Sequence, residues 1–158
     1  MGTSINMSIL EFKIEIDAPL QKVWEFHSTL DGLKKVTPAG TKIEILDYNP
    51  PLKIGSRFTL VIKRFGIPIK WEVEYVSFDP PNGFIDQQVT GKGPFKSWRH
   101  EHRFIAISEN KTLLHDHIAY EAPFLFLGKI AEALFLKNDL VKMFAYRHKI
   151  TKELLEKP

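Results

Sequence analysis

The sequence predicts an α+β fold in which a curved antiparallel sheet of about seven strands wraps around one long C-terminal helix. Two observations predict it. Up to Tyr120, short segments that alternate between apolar and polar side chains are separated by turns rich in proline, glycine and asparagine. After Pro123 the apolar residues recur with the 3.6-residue period of a helix. Because this helix is the only long element available to cover the apolar face of the sheet, we expect the two to pack together.

The first third of the chain predicts a strand, two short helices and a second strand. Residues 9–16 alternate in the manner of a half-buried strand. Asp17 precedes a proline suited to a first helical turn and is predicted to cap a helix that ends near His27. A second short helix is expected over residues 30–36, and the next strand over residues 41–48.

The middle of the chain predicts a series of hairpins. Phe65 and Gly66 form the natural turn of the first hairpin, and pairing its arms places Trp71 opposite Leu60. One face of these strands is then apolar and the other is charged. The predicted strands of this region cover residues 56–63, 68–78, 84–90, 95–107 and 112–120.

Length and composition limit the class of protein. The 158 residues predict a single domain, with residues 1–8 as a flexible N-terminal extension. Hydrophobic residues make up 44% and charged residues 26%, which excludes a disordered chain, and the lack of cysteine excludes disulfides and thiolate zinc sites. The net charge of +3 is small and dispersed, so no nucleic-acid partner is expected. Since neither a signal peptide nor an apolar run of membrane-spanning length is present, we expect a soluble, cytoplasmic protein.

Histidines dominate the most informative segment, residues 98–104. The charged residues of this strand all point to one side, so that side is predicted to be the outer face. Pairing about the turn at residues 109–110 sets His102 opposite His117 and turns His115 to the same face. Four of the six histidines are therefore predicted to lie together on the inner face. The side chains of this segment that are predicted to face inward are Trp98, His100, His102 and Phe104.

This cluster of four histidines is open to four interpretations. The favoured one is a polar patch that orients a ligand in an otherwise apolar pocket. A second is general acid–base catalysis by His100 or His102, without an accompanying nucleophile or oxyanion arrangement. A third is a metal site, disfavoured because no inward carboxylate is evident beside the histidines, and a fourth is plain core packing with the imidazoles bonded to each other and to water. The metal interpretation would use His100, His102, His115 and His117, but no metal or other cofactor is expected.

Further residues complete the predicted ligand-binding set. Trp71 and Tyr75 lie on the inner face of their strand, either as core packing or as walls of the pocket. Asp86 and Gln88 are predicted to face inward, where they would add polar contacts. The stripe of the C-terminal helix, which Asn138 and Asp139 could bend or restart, supplies Phe144 and Arg147.

Two segments receive other interpretations. Glu101 and Asp116 are predicted to lie on the charged outer face and to pair with Arg99 or Arg103. The apolar stretch over residues 122–128 is read as a buried linker in preference to a gate for lipophilic ligands. A transient contact with a membrane surface through Phe124 and Phe126 is the alternative use of this stretch, and the chain is expected to be a monomer or a weak homodimer.

Several motifs together resemble one superfamily along nearly the whole chain. They are Ile16-Asp17-Ala18-Pro19 with Val23-Trp24, Gly91-Lys92-Gly93-Pro94-Phe95 leading into residues 98–104, the strand from Asp116 to Tyr120 ending at Pro123, and Phe144-Ala145-Tyr146-Arg147. The sequence resembles the START/SRPBCC helix-grip superfamily, in the branch of polyketide cyclase/dehydrase or coenzyme-Q-binding START-like proteins. The resemblance implies a deep hydrophobic cavity between sheet and C-terminal helix, in which members bind lipids, sterols, quinones, polyketides or plant hormones. It carries over no universal catalytic motif, and the superfamily's metal-dependent enzymes carry an additional iron–sulfur domain that this cysteine-free chain lacks.

The predicted function is the binding of a hydrophobic or amphipathic small molecule, such as a lipid, a quinone or a polyketide-like compound, whose polar head the histidines anchor. The first alternative is a cyclase, dehydratase or hydrolase in which His100 or His102 moves a proton. The second alternative is a protein that delivers a lipid or quinone to a membrane enzyme.

Overall fold

The computed structural model describes residues 7–64, 66–123 and 129–157 and has the architecture that the sequence predicts. One strand precedes two short helices, six strands follow, and a long helix ends the chain. In chain order the elements are β1 (Ser8–Ile16), α1 (Leu20–His27), α2 (Leu30–Lys35), β2 (Lys42–Leu46), β3 (Arg57–Arg64), β4 (Ile67–Asp79), β5 (Gly83–Gln88), β6 (Ser97–Ser108), β7 (Lys111–Glu121) and α3 (Lys129–Leu155).

The seven strands form one antiparallel sheet in the order β1-β7-β6-β5-β4-β3-β2. Each hairpin pairs consecutive strands, and the first strand joins the last because β1 pairs with β7. The register of the β3–β4 hairpin is the predicted one, with Trp71 opposite Leu60. β1 begins at Ser8, within the predicted N-terminal extension.

The start of α1 differs from the prediction. Pro19 is the residue that precedes the helix, and no side chain caps it. Asp17 is two residues too early to cap, and its backbone N–H donates instead to Oε1 of Glu156 at 2.8 Å. This bond ties the end of β1 to the end of α3. In α2 the capping role falls to Thr29, whose hydroxyl accepts a hydrogen bond from the backbone N–H of Gly32.

Two groups of buried side chains cover the inner face of the sheet. The larger group packs α1, through Val23 and Trp24, against the sheet. The smaller group packs Leu140 and Phe144 of α3 against aromatic residues of β6 and β7. Helix α3 runs without interruption through residues 138 and 139, where a bend or restart was expected. Both helices therefore face the same side of the sheet.

A β-bulge in the β6–β7 hairpin changes the predicted register by one residue. Ser108 pairs with Lys111 next to the turn, but the following pair is Ala106 with Thr112, so Ile107 is the extra residue. Beyond the bulge, His102 lies opposite Asp116 and not opposite the predicted His117. Since side chains alternate along a strand, this shift exchanges the inner and outer faces of β7 relative to the prediction.

Residues 124–128 lie outside the described part of the chain, so the linker, gate and membrane-contact interpretations of this stretch stay predictions. Among the helices of the described residues, none is both long enough and apolar enough to cross a membrane.

Candidate functional site: a cavity with a histidine–aspartate cluster

A cavity lies between the inner face of the sheet, the α2 region and α3. Its volume is about 100 Å³, so the space between the side chains is small. The apolar part of its wall includes Leu30, Phe58, Leu60, Val73, Trp98 and Phe144. The polar part consists of Asp86, His100, His102, Asp116, Arg147 and His148.

Asp116 is the centre of this polar part. Its carboxylate is buried, and its Oδ1 lies 2.7 Å from Nε2 of His100. Its Oδ2 lies 2.5 Å from Nε2 of His148, which comes from α3. The Nδ1 of His102 is 3.2 Å from Oδ1 but is not aligned for a hydrogen bond. One carboxylate thus connects histidines of the sheet with a histidine of the helix.

Asp86 on β5 contacts the same two histidines of β6 from the other side. Its Oδ2 is 2.9 Å from Nε2 of His102 and 3.6 Å from Nδ1 of His100. The two imidazole rings lie against each other with their centroids 3.7 Å apart. His102 therefore stands between two carboxylates. Its ring also lies against the ring of Phe84, with the two centroids 4.0 Å apart.

These contacts set the charges of the cluster. Burial opposes ionisation of Asp116 and Asp86, but hydrogen bonds from the histidines outweigh it and hold the pKa of both carboxyl groups below the usual range, that of Asp116 well below it. Burial also opposes a charge on His102, yet the adjacent carboxylates of Asp116 and Asp86 raise the pKa of its imidazole to about 9. Burial and then the neighbouring His102 charge lower the pKa of His100.

Two donors that border the cavity have no hydrogen-bond partner among the described residues. They are the buried Nε–H of Arg147 and the indole N–H of Trp71. The guanidinium of Arg147 lies 5.3 Å from the ring centre of Phe144. Burial lowers the pKa of Arg147, but a guanidinium stays protonated in proteins, so a permanent positive charge borders the cavity.

Most of the residues predicted for the site do line this cavity. They are Trp71, Tyr75, Asp86, Trp98, His100, His102, Phe144 and Arg147. Their role in binding stays a prediction.

Four predicted residues lie elsewhere. His115 and His117 face the outer side because of the bulge at Ile107, and Nε2 of His115 lies 3.5 Å from Glu11. Gln88 is buried, but its amide both donates to and accepts from the backbone of Phe95, so it holds the loop before β6. Phe104 is core packing against Trp24 and Phe84. A metal site built from four histidines including His115 and His117 is therefore wrong.

Glu101 and Asp116, both predicted on the outer face, lie on opposite faces of the sheet. Glu101 is on that face, where Arg103 donates to it at 2.8 Å and Arg99 lies 3.8 Å away. The prediction is wrong for Asp116, because the same register shift that moves the histidines of β7 outward brings Asp116 inward.

His27 and His148 also line the cavity, and neither was predicted from the sequence. The cavity is bordered by four histidines, but only two of them are among the predicted four. A signal for His148 existed in its spacing of four residues from Phe144 on α3, which puts both on one face of the helix. For His27 the same spacing from the apolar Val23 on α1 was available, and its ring Nδ1 is 3.0 Å from the carbonyl of Val23.

Comparison with known proteins identifies the family. From residue 16 to residue 147 the chain matches the family described as polyketide cyclase / dehydrase and lipid transport. The chain belongs to this family. As a member of the START/SRPBCC superfamily with the helix-grip fold, it has the architecture that its motifs indicated. No curated protein matches the sequence.

Solved structures with the same fold come from distant sequences. The Zhui aromatase/cyclase from Streptomyces sp. R1128 is 17% identical with a TM-score of 0.78, and the match covers 96% of this chain and 94% of that one. Norcoclaurine synthase from Thalictrum flavum, in complex with dopamine and hydroxybenzaldehyde, is 13% identical with a TM-score of 0.65 and coverages of 96% and 88%. TTHA0849 from Thermus thermophilus is 17% identical with a TM-score of 0.69 and coverages of 91% and 97%. At these identities the likeness concerns the fold of this family member.

Proposed function

We propose that the protein binds an amphipathic small molecule whose apolar body occupies the cavity and whose oxygen atom accepts a hydrogen bond from Arg147. The single observation that carries this proposal is the buried Nε–H of Arg147, which borders the cavity without a partner among the described residues. Leaving a buried donor unpaired costs about 1–3 kcal/mol, and more for a charged group. A ligand oxygen at this position recovers that free energy on binding.

The lining and the small volume of the cavity support a particular class of ligand. The cavity is bordered by the rings of Trp71, Trp98 and Phe144, against which a flat, conjugated skeleton can stack. The unpaired indole N–H of Trp71 offers a second donor to an oxygen. Aromatic or conjugated compounds with carboxylate, phenolate or carbonyl oxygens, as in quinones and polyketide-like compounds, have both properties.

The test uses 2-naphthoate as a flat probe with one carboxylate, titrated calorimetrically into the wild type and two variants. Arg147→Met keeps most of the apolar stem but removes the donors, and we expect binding to weaken at least about tenfold, since a hydrogen bond to a charged group contributes about 1.5–3 kcal/mol. Arg99→Met is the matched control, because Arg99 is exposed on the outer face. Equal affinity in Arg147→Met and the wild type would contradict the proposal. Native mass spectrometry of freshly purified protein, followed by organic extraction, would supply the class of the natural ligand.

A second candidate function is cyclisation or dehydration of the bound molecule. The observation that favours it is the contact of two imidazoles and two carboxylates at the wall of the same cavity. The extracted ligand would be incubated with the wild type and with His102→Ala, and the products followed by mass spectrometry. Turnover by the wild type that is lost in His102→Ala, with 2-naphthoate binding retained, favours catalysis, whereas recovery of unchanged ligand from both favours binding alone.

The remaining predictions concern the surroundings of the protein. Delivery of a lipid or quinone at a membrane surface depends on Phe124 and Phe126, and flotation with liposomes tests it in a variant that lacks both rings. The monomer or weak homodimer and the cytoplasmic location stay predictions.

A further inference from the structure

We propose that Asp86, His100 and His102 bind a divalent transition-metal ion at the polar end of the cavity. This inference does not rest on the proposed function, because it requires only the ion and these side chains. It also departs from the expectation of a cofactor-free protein.

The positions of three donor atoms carry the proposal. One ligand atom from each of the three side chains lies within 4.8 Å of the other two. The Oδ2 atom of Asp86 is 2.9 Å from Nε2 of His102 and 3.6 Å from Nδ1 of His100. Ligands bound to a tetrahedral zinc ion at about 2.0–2.1 Å are separated from each other by roughly 3.4 Å. The two observed separations lie on either side of that value, so small side-chain shifts suffice to admit an ion.

The nitrogens that face away from Asp86 supply a second, independent observation. The other nitrogen of His100 is hydrogen-bonded to Oδ1 of Asp116 at 2.7 Å, and the other nitrogen of His102 lies 3.2 Å from the same oxygen without the alignment of a hydrogen bond. Metal-binding histidines almost always donate their second N–H to a carboxylate, a carbonyl or water, which fixes the ring and its tautomer. Asp116 is in turn held by His148 of α3. The cluster therefore has the supporting groups of a metal site as well as the ligands.

The sheet holds the three ligands in place. Asp86 pairs directly with His100 across β5 and β6, and His102 follows two residues later on the same face. Ligands on paired strands are positioned more rigidly than ligands on loops. The site also places the carboxylates of Asp86 and Asp116 on opposite sides of these imidazoles. A cation bound there has Asp86 as a negatively charged ligand, while Asp116 accepts the hydrogen bond of His100 from the opposite side.

The donor set indicates the kind of ion. Two imidazole nitrogens and one carboxylate oxygen form a set that Zn²⁺ and Fe²⁺ accept, whereas Mg²⁺ and Ca²⁺ prefer oxygen ligands throughout. Three protein ligands leave at least one coordination position free. Because all three ligands line the cavity, water or the oxygen of a bound small molecule can complete the coordination there.

The first test is a metal titration of untagged protein that has been treated with EDTA and dialysed. We expect Zn²⁺ to bind with one equivalent per chain, and Co²⁺ to give the visible absorption of a four- or five-coordinate ion. Asp86→Asn should weaken binding by more than about 100-fold and Asp116→Asn by about 10–100-fold. The matched control is the double variant His115→Gln with His117→Gln, which alters two histidines of the outer face and should leave the affinity unchanged.

A measurement on the wild type keeps the proposal testable if a variant does not fold. X-ray absorption of the zinc-loaded protein should show two imidazoles and at least one oxygen ligand. Absence of stoichiometric binding, a different number of imidazoles, or loss of binding only in the outer-face control would each overturn the proposal. Binding of 2-naphthoate to EDTA-treated protein is measured separately, so failure of the metal site and failure of the proposed ligand function are distinguishable.

Discussion

Asp116 is the residue on which the arrangement of the cavity most depends. Its two oxygens meet His100 of the sheet and His148 of the helix, and all three side chains are buried. Removing one partner from a buried ionic cluster leaves the others desolvated without compensation, which typically costs about 3–5 kcal/mol. Glu101, by contrast, forms its bonds to Arg103 at the surface, where such pairs contribute about 0–1 kcal/mol.

We therefore expect Asp116→Ala to lower the free energy of unfolding by about 3–5 kcal/mol and Glu101→Ala by no more than about 1 kcal/mol. Urea unfolding of EDTA-treated protein, followed by circular dichroism, measures both. Similar losses in the two variants would mean that Asp116 is not held as described.

His27 makes stability depend on pH. Burial lowers the pKa of its imidazole to about 4. The hydrogen bond to Val23 and the charge of Asp116 raise this pKa by smaller amounts, and the charges of His102 and His148 lower it. The unfolded chain has the ordinary value of about 6.5. Between these values the folded state binds fewer protons than the unfolded state, so the free energy of unfolding falls as the pH falls from about 6.5 to about 4.

The expected loss from His27 is at most about 3 kcal/mol, since one pKa unit corresponds to about 1.4 kcal/mol and solvent reaches part of the ring. His27→Phe keeps a ring beside Phe104 but cannot titrate. The difference in unfolding free energy between wild type and variant should therefore shift with pH in this interval. A difference that is constant from pH 4 to pH 7 would exclude the lowered pKa.

At the scale of single elements, the register of β6 and β7 decides which side chains reach the cavity. Alternation along β6 was enough to predict that His100 and His102 share the inner face. It could not predict the partner face of β7, because residues 104–107 are all apolar or small and give no alternation in which a bulge would be visible. The extra residue Ile107 therefore exchanged His117 for Asp116 opposite His102.

The two histidines that helices bring to the cavity, His27 and His148, were missed for a different reason. A histidine on an amphipathic helix is predicted to be exposed unless the element that packs against it is known. His148 is buried only because α3 crosses the sheet above Asp116, which is a tertiary contact. Arg147, its neighbour in sequence, was selected because it falls on the same stripe of the helix as Phe144.

Close pairing of β5 with β6 requires glycine at position 83. A Cβ atom there would lie 2.1 Å from the carbonyl oxygen of His102, and the backbone φ is +155°. Gly55 has a φ of +82° but has no atom within 4 Å of a Cβ, so it tests the backbone conformation alone.

We expect Gly83→Ala to lower the free energy of unfolding by about 2 kcal/mol or more, because the backbone of β6 must move, and Gly55→Ala by about 1–2 kcal/mol. Urea unfolding measures the loss, and the imidazole NMR signals of His102 report the displacement of β6. Equal losses with unchanged His102 signals would show that the two strands are not in this contact.

At the scale of the whole molecule, the order of the elements could be predicted from the sequence, but the size of the cavity could not. Strand alternation, turn residues and one long C-terminal helix are local signals, so seven strands and their cover could be predicted. The volume of the cavity depends on how rings such as Trp98 and Phe144 pack across the gap between sheet and helix. That packing depends on contacts between residues far apart in sequence, and the periodicity of a single segment does not predict such contacts.

NMR of the arginine side chains during titration with 2-naphthoate tests most directly whether the cavity binds a small molecule through Arg147. We predict that the Nε–H signal of Arg147 shifts with the indole signal of Trp71, while those of Arg99 and Arg103 on the outer face stay in place. An Arg147 signal that does not move at saturating 2-naphthoate, or movement confined to the outer-face arginines, would contradict it.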